Sequence, residues 1–387
     1  MRVAINAAPL QRPTSSQGRY LTNLLAGLGR VDGMNDYVVL GYKPPLVEPD
    51  TPSSIVFQEA PLGGPARGAR MKRAVWEQSG FPAMAREVRA DLAHVPYYAP
   101  IMRPNGLPQI VTIRDVLPLA LPEYQTKTTA AIYSRLAAHA ARRAEGVITA
   151  SEWSKRDIIE HLRIPAERIR VVREAPAPDF RRETNPDRLR AVRAKYRLNE
   201  RFVLNVGGMD VRRNIGRLVG AFAAAYYELN EPSLQLFIAG DHERLGSSPL
   251  YPDWRPLAAA FGVQRQVVCA PVAEEDLAAL YSAAACFAFT SRYEGFGLTA
   301  LEAMACGAPV VCSNATSLPE VVGSAGILVN PDDTDALAAA IYRTLAAPEL
   351  SADLRARGLA QSKQFSWDKA AAATSSYYED VAGQPLE

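Results

Sequence analysis

Glu294 and Glu302 stand eight residues apart in SRYEGFGLTALEAMACGAPVV (291–311), separated by a turn that is nearly bare of side chains. The apolar run CFAFTS ahead of them reads as a buried strand, and a helix is expected to begin near residues 297–298. In an open α/β sheet, ligands bind beyond the carboxyl ends of strands, where helix N-termini present unpaired N–H groups. Gly295 and Gly297 let a ligand approach the backbone closely, so the amides of Phe296, Gly297 and Leu298 can hold a phosphate or sugar hydroxyls. Glu302, about one turn into the helix, can lean back toward its N-terminus, and Glu294 in the turn can accept from vicinal hydroxyls. Two other readings fit the same spacing. Paired carboxylates also serve glycosidases, although nothing here raises the pKa of either acid. An acid in the first turns of a helix is also favoured by the helix dipole alone. Spacing by itself decides among none of the three.

The elements that must position these acids follow an alternating pattern. Strands are expected at RVAINA, YVVLGY, ADLAHV, PQIVTI, GVITA and IRVVR in the front half, then at FVLNVGG, LQLFIAGD, QVVCAPV, CFAFTS, PVVCS and GILV. Helical patterns intervene at GRYLTNLLAGL, SEWSKRDIIEHL, RNIGRLVGAFAAAYYEL, EEDLAALYSAAA and GLTALEAMAC, with Ser151 a good N-cap. The polar, basic stretch RRETNPDRLRAVRAKYRLNE reads as a linker and lead-in helix, which places a domain boundary near residues 178–200. A length of 387 residues also favours two domains. The fold class expected is α/β: two doubly wound halves facing a cleft.

Composition bounds the function. Hydrophobic residues make up 48% and charged residues 22%, as in an ordinary globular protein. A net charge of +2 gives no argument for nucleic acid as a partner. Residues 1–180 carry 23 Lys+Arg against 17 Asp+Glu, whereas the remainder carries 20 against 24. The front half therefore suits anionic partners or a membrane surface, and GGPARGARMKR (63–73) reads as an exposed basic loop. No apolar run is long enough to span a bilayer and no signal peptide is expected, which points to a cytoplasmic chain peripheral to the inner membrane face. The four cysteines lie in apolar surroundings without a C-x-x-C, and the four histidines are scattered, so no metal site is expected.

Extended to SRYEGFGLTALEAMACGAPVVCSNATSLPEVVGSAGILVNPDD, the stretch closely resembles the E-x7-E signature of retaining GT-B glycosyltransferases of group 1, family four. The likeness is nearest the mannosyltransferase-like branch and spans most of the chain, through GRYLTNLL, WEQ, DLAHVPYYAP, VTIRDVLPLALPEY, ITASEWSKRDI, VGGMDVRRNIGRLVGAF and FSWDKAA. It implies a GT-B fold with an acceptor-side domain over 1–180, a nucleotide-sugar-binding domain over 181–364, and a C-terminal helix in 365–387 that packs back on the first. It also implies transfer of a hexose, mannose from GDP-mannose, to a glycan or lipid-linked acceptor, with no cofactor or metal beyond the donor. A UDP- or dTDP-sugar-dependent transferase acting on a small molecule, and a non-catalytic sugar-nucleotide-binding relative, are the alternatives.

At matching positions the resemblance gives Glu294 the donor sugar, Glu302 the ribose diol, and the amides of Gly295, Phe296, Gly297 and Leu298 the diphosphate or sugar. Arg213 stands where the family usually has lysine and would neutralise the leaving diphosphate, with Arg212 a second candidate, Gly207 at the preceding strand end, and Gly18 in the first loop. The chain departs from the family at Gly208, where relatives often carry arginine, and at Arg114, where TIRD replaces T-I-H-D. Arg114 can donate to a hydroxyl or phosphate but cannot act as a base. His94, Tyr97 and Asp115 are expected on the acceptor side, although a satisfied structural histidine fits His94 equally. Ser317-x-x-Glu320 matches the family and reads also as a capping box.

Overall fold

The computed structural model describes residues 1–44, 55–59, 69–101, 106–124 and 128–383. The chain divides into two compact units, one formed by Met1–Glu174 with Ser366–Glu387 and the other by Ala175–Phe365.

The first unit is built on a sheet of short apolar strands: β1 (Arg2–Asn6), β2 (Asp36–Gly41), β3 (Ile55–Glu59), β4 (Leu92–Val95), β5 (Gln109–Thr112), β6 (Gly146–Thr149) and β7 (Ile169–Val171). All pair in parallel in the order β3-β2-β1-β4-β5-β6-β7. The order reverses between β1 and β4, the kind of place where open sheets leave a crevice. Apolar residues of β4, β5 and β6 are wholly enclosed, as expected for strands covered on both faces. β3 escapes the sequence reading because it is an edge strand with little to bury: only Ile55 is enclosed and Val56 is 48% exposed.

Helix α1 (Ser16–Val31) turns Tyr20, Leu21, Leu24, Leu25 and Leu28 into the core, and Ser15 caps it by accepting from the Gly18 amide at 3.1 Å. Helix α2 (Ala69–Val75) occupies the end of the stretch expected to be a basic loop, so that expectation is corrected for 69–73; residues 63–68 lie outside the described residues. Helix α3 is Thr128–Arg142.

The second unit carries β8 (Phe202–Val206), β9 (Gln235–Ala239), β10 (Val267–Ala270), β11 (Cys286–Phe289), β12 (Val310–Ser313) and β13 (Ile327–Val329). These form a parallel sheet in the order β10-β9-β8-β11-β12-β13, reversing between β8 and β11. Helix α4 (Ile215–Leu229) follows β8, and helix α5 (Leu298–Ala305) follows β11. The four cysteines are free; three are buried, and burial pushes the Cys286 and Cys312 thiols up to about 12.

The chain then returns to the first unit as helix α6 (Trp367–Ala382), which packs along α1. Gly27 of α1 makes this contact close, since a Cβ there would lie 2.8 Å from the Trp367 carbonyl oxygen. The Ser375 hydroxyl donates to buried Asp32, which also accepts from Tyr37 at 2.5 Å and from the Asn35 side chain at 2.8 Å. Among the described residues no helix is long and apolar enough to cross a membrane, and no group of three or more His, Cys, Asp or Glu side chains is placed to hold a metal ion.

Candidate functional site

In the second unit the loops leaving β8 and β11 bring Arg212, Arg213 and Glu294 together. Arg213 Nη1 donates to a Glu294 carboxylate oxygen and, at 3.2 Å, to Ser291 Oγ. Arg212 Nη1 lies 3.6 Å from the other Glu294 oxygen, while its Nε donates to Asp210 at 3.1 Å. The Arg213 guanidinium lies over the Phe289 ring at 5.3 Å, and its buried Nε has no hydrogen-bond partner among the described residues. A Cβ at Gly207 would sit 3.3 Å from Arg213 Cζ, so glycine at the end of β8 leaves room for this side chain. Glu294 is 9% exposed and Arg213's side chain 12%, so their attraction is screened little by water.

The backbone of Glu294 is held from the loop after β12. Its amide donates to Thr316 Oγ1 at 3.0 Å, and its carbonyl accepts from Ser317 Oγ at 2.8 Å. Ser313 Oγ donates to the Ser291 carbonyl in the same stretch. Thr316 has φ of +52°, a conformation that costs a β-branched residue free energy and that the hydroxyl contact accompanies. Sequence reasoning singled out Ser317 as a helix cap and passed over Thr316 and Ser313. Of the capping box expected at Ser317 and Glu320, the Ser317 half is not made: its hydroxyl caps no helix amide and donates to the Glu294 carbonyl, while the Glu320 amide donates to the Ser317 carbonyl at 3.0 Å.

Gly297 opens α5 with φ of +102°, and a Cβ there would lie 2.7 Å from Leu318 Cδ2. Both facts require glycine before any ligand is considered. Gly295 is buried, Phe296 packs edge-on against Phe365, and Leu298 is half-buried where it starts the helix, whose first amides have no partner within it. Glu302 shares this helix and is 6% exposed, with the Tyr281 hydroxyl donating to it at 3.4 Å.

In the first unit the candidates are already spoken for. Arg114 Nε and Nη2 donate to the two oxygens of Glu174 at 2.5 and 2.6 Å, and Nη1 donates to the carbonyl and hydroxyl of Ser16 at the start of α1. Glu174 is 1% exposed. Burial opposes the charge on Arg114, but the carboxylate of Glu174 outweighs it and holds the guanidinium more firmly protonated than usual. The expected catalytic arginine is thus corrected to a strut joining β5, α1 and the segment after β7.

His94 is wholly buried: Nδ1 meets the Tyr378 hydroxyl at 2.6 Å and Nε2 meets Thr112 Oγ1 at 2.8 Å. Burial lowers its pKa to about 3. Tyr97 is 2% exposed; its hydroxyl donates to Glu77 at 3.1 Å and Arg73 lies 5.0 Å over its ring. The acceptor contacts expected of these two are corrected to core roles. Gly18 is also structural: its amide is used by Ser15, and a Cβ would strike the Arg12 and Pro13 backbone. Only Asp115 of the acceptor-side set is partly open, with one oxygen capping the turn at Leu117 at 3.1 Å.

With the geometry established, comparison with known proteins is decisive. Residues 200–347 match the family described as Glycosyl transferases group 1, and residues 17–175 match Glycosyltransferase Family 4. The O-antigen chain mannosyltransferase B of Escherichia coli is 35% identical over 277 residues, 70% of each chain. This chain belongs to the group 1, family 4 glycosyltransferases. The Escherichia coli serotype-specific mannosyltransferase WbdA is 31% identical over 228 residues, 58% of this transferase but only 27% of WbdA. The solved sucrose-phosphate synthase of Thermosynechococcus elongatus superposes with a TM-score of 0.73 at 22% identity, covering 98% of this chain and 99% of that one. The transferase therefore has the GT-B fold.

Proposed function

We propose that this glycosyltransferase moves a mannosyl unit from GDP-mannose to a glycan or lipid-linked acceptor, with retention of configuration and without a metal ion. The observation that carries the reading is the Arg213–Glu294 pair, held at the end of the sheet beside the N-terminus of α5. A diphosphate competes well for a guanidinium, since it offers paired anionic oxygens in the geometry of a carboxylate. Its arrival draws Arg213 from Glu294 and leaves the carboxylate to accept hydrogen bonds from the sugar hydroxyls. Arg213 and the first amides of α5 then stabilise the charge that grows on the leaving phosphate. Glu302 serves the ribose diol.

Retention follows a front-face course. The bond from the anomeric carbon to the phosphate oxygen breaks, and the acceptor oxygen bonds to the same face. That phosphate oxygen takes the acceptor's proton. Arg114 has no part at the sugar, because Glu174 and Ser16 occupy it. Mannose is favoured by the two mannosyltransferases to which the chain is similar.

A panel of nucleotide sugars with a chelator present tests this. A thermal shift specific to GDP-mannose, with donor turnover lost in Glu294→Ala, is the expected result. A shift specific to UDP- or dTDP-sugars would overturn the donor assignment. Donor binding with no turnover across plausible acceptors would make the chain a binding module.

A further inference from the structure

Asn214 follows Arg213 directly and stands immediately before α4. Its backbone is left-handed, with φ of +57°. Glycine adopts that conformation without steric cost, whereas any L side chain adopts it at a cost, which asparagine bears better than most. Conformation alone does not account for asparagine over glycine. Helix capping does not account for it either. An asparagine at the start of a helix ordinarily accepts from the second or third helical amide through its side-chain oxygen. The Asn214 side chain caps no amide of α4. Its amide group reaches away from the helix instead, and Nδ2 donates at 2.7 Å to the carbonyl of Pro331, 117 positions further along the chain. Asn230, the left-handed asparagine at the far end of α4, closes a helix, where that conformation is ordinary.

The bond ties the root of Arg213 to the loop after β13. The short turn Val211–Arg213 ends at Asn214, whose backbone N–H donates to the Val211 carbonyl at 3.2 Å. The same loop is also held by two arginines: Arg292 donates to the Asp332 carboxylate at 2.6 Å, and Arg217 to the Asp332 carbonyl at 2.7 Å. From the loop after β11, the Arg292 amide donates to the Arg212 carbonyl and the Thr290 hydroxyl to the Arg213 carbonyl, each at 2.8 Å. Arg217, Arg292 and Asp332 are about half exposed, so their ion pairs hold weakly and salt screens them. The Asn214 tether is neutral and short, and it lies next to the arginine itself.

We propose that Asn214 is a positioning residue for Arg213. Its tether fixes the backbone beside the arginine, so the guanidinium stays aimed while its partner changes from Glu294 to the donor's diphosphate. A cation placed in advance stabilises the charge on a leaving group without having to reorganise, and a small misplacement forfeits much of that. The inference rests on the reading of Arg213 as the diphosphate's cation, and adds to it a residue that itself touches no substrate.

Titration calorimetry with GDP, UDP and dTDP tests it, the variants being measured with whichever nucleoside diphosphate binds the wild type best. Asn214→Gly keeps the backbone conformation and removes the tether. Asn214→Asp keeps the shape but sets an oxygen against the Pro331 carbonyl. Each should bind the nucleoside diphosphate roughly fivefold more weakly, as for the loss of one hydrogen bond. Each should bind the matching nucleoside, which lacks the diphosphate, as the wild type does. In an Arg213→Ala background, Asn214→Gly should cost nothing further, because the group it aims is gone. A tether that served only the fold would weaken nucleoside and diphosphate alike, and would act equally with and without Arg213. Either result would overturn the proposal, as would wild-type affinity in both Asn214 variants. A wild type that binds none of the three diphosphates would bring down the donor-site reading together with the inference. Binding by the wild type that both variants share would overturn the inference alone.

Discussion

In the second unit, residues from the ends of two strands converge on one another with capacity to spare: Arg213 binds Glu294 yet keeps a buried Nε–H with no partner among the described residues, and hydroxyls from a third loop hold the Glu294 backbone. In the first unit, residues of equal chemical promise are closed into the framework. Arg114 spends its donors on Glu174 and Ser16, His94 has a partner on each nitrogen, and Tyr97 gives its hydroxyl to Glu77. The difference lies in what the partner can give up. In the proposed mechanism a diphosphate replaces Glu294 at Arg213, and the carboxylate takes sugar hydroxyls in exchange. Nothing can replace Glu174 at Arg114 without leaving a buried carboxylate bare.

That contrast can be broken at four points, the first having the largest effect. Arg114→Ala should lower unfolding free energy by about 3–5 kcal/mol, because the nearly inaccessible Glu174 loses its partner. Arg114→Leu with Glu174→Leu should recover most of that loss in denaturant titrations and retain turnover. A stable but inactive double variant would restore Arg114 to the catalytic set. Glu294→Gln should lower turnover by about 10²–10³-fold while shifting the melting temperature little, as expected for a group that acts on the reacting sugar. Equal loss of stability and activity would place Glu294 with the struts.

The third effect is a pH dependence. His94 has a folded pKa of about 3 against an ordinary 6.5, so below 6.5 the unfolded chain binds the extra proton and stability falls as pH drops. Between pH 7 and 5 the wild type should lose about 2 kcal/mol more than His94→Gln, measured by urea unfolding. Equal slopes would mean that His94 takes a proton in the native state. The smallest effect is at Thr316. Thr316→Val removes one hydrogen bond to the Glu294 amide, worth about 1 kcal/mol, and should raise the donor KM several-fold with kcat less affected. Thr316→Ser should behave as wild type.

The sequence was informative wherever function and burial rely on local pattern. Apolar runs such as CFAFTS and PVVCS became β11 and β12, Ser151 caps its helix by accepting from the Ser154 amide at 3.0 Å, and the bare turn with its glycine at positive φ sits where the spacing placed it. It was uninformative where a side chain's fate depends on a partner distant along the chain. Arg114 and Glu174 are 60 residues apart, and His94 and Tyr378 are 284 apart. No periodicity links such pairs, so an arginine beside the family's aspartate reads as chemistry until its carboxylate is found. β3 was missed for the opposite reason: an edge strand with little to bury leaves no apolar pattern.

The return of α6 to the first unit also sets an order of events during synthesis. The sheet of that unit is complete at β7, but Ser375 and Tyr378, which complete the settings of Asp32 and His94, emerge only after all of Ala175–Phe365 has been made. At about 5–20 residues per second the ribosome needs roughly 10–40 s to supply them. The second unit, being continuous, can close in that interval. The unit that begins first is therefore the last to finish, and for that time its α1 face has no covering helix.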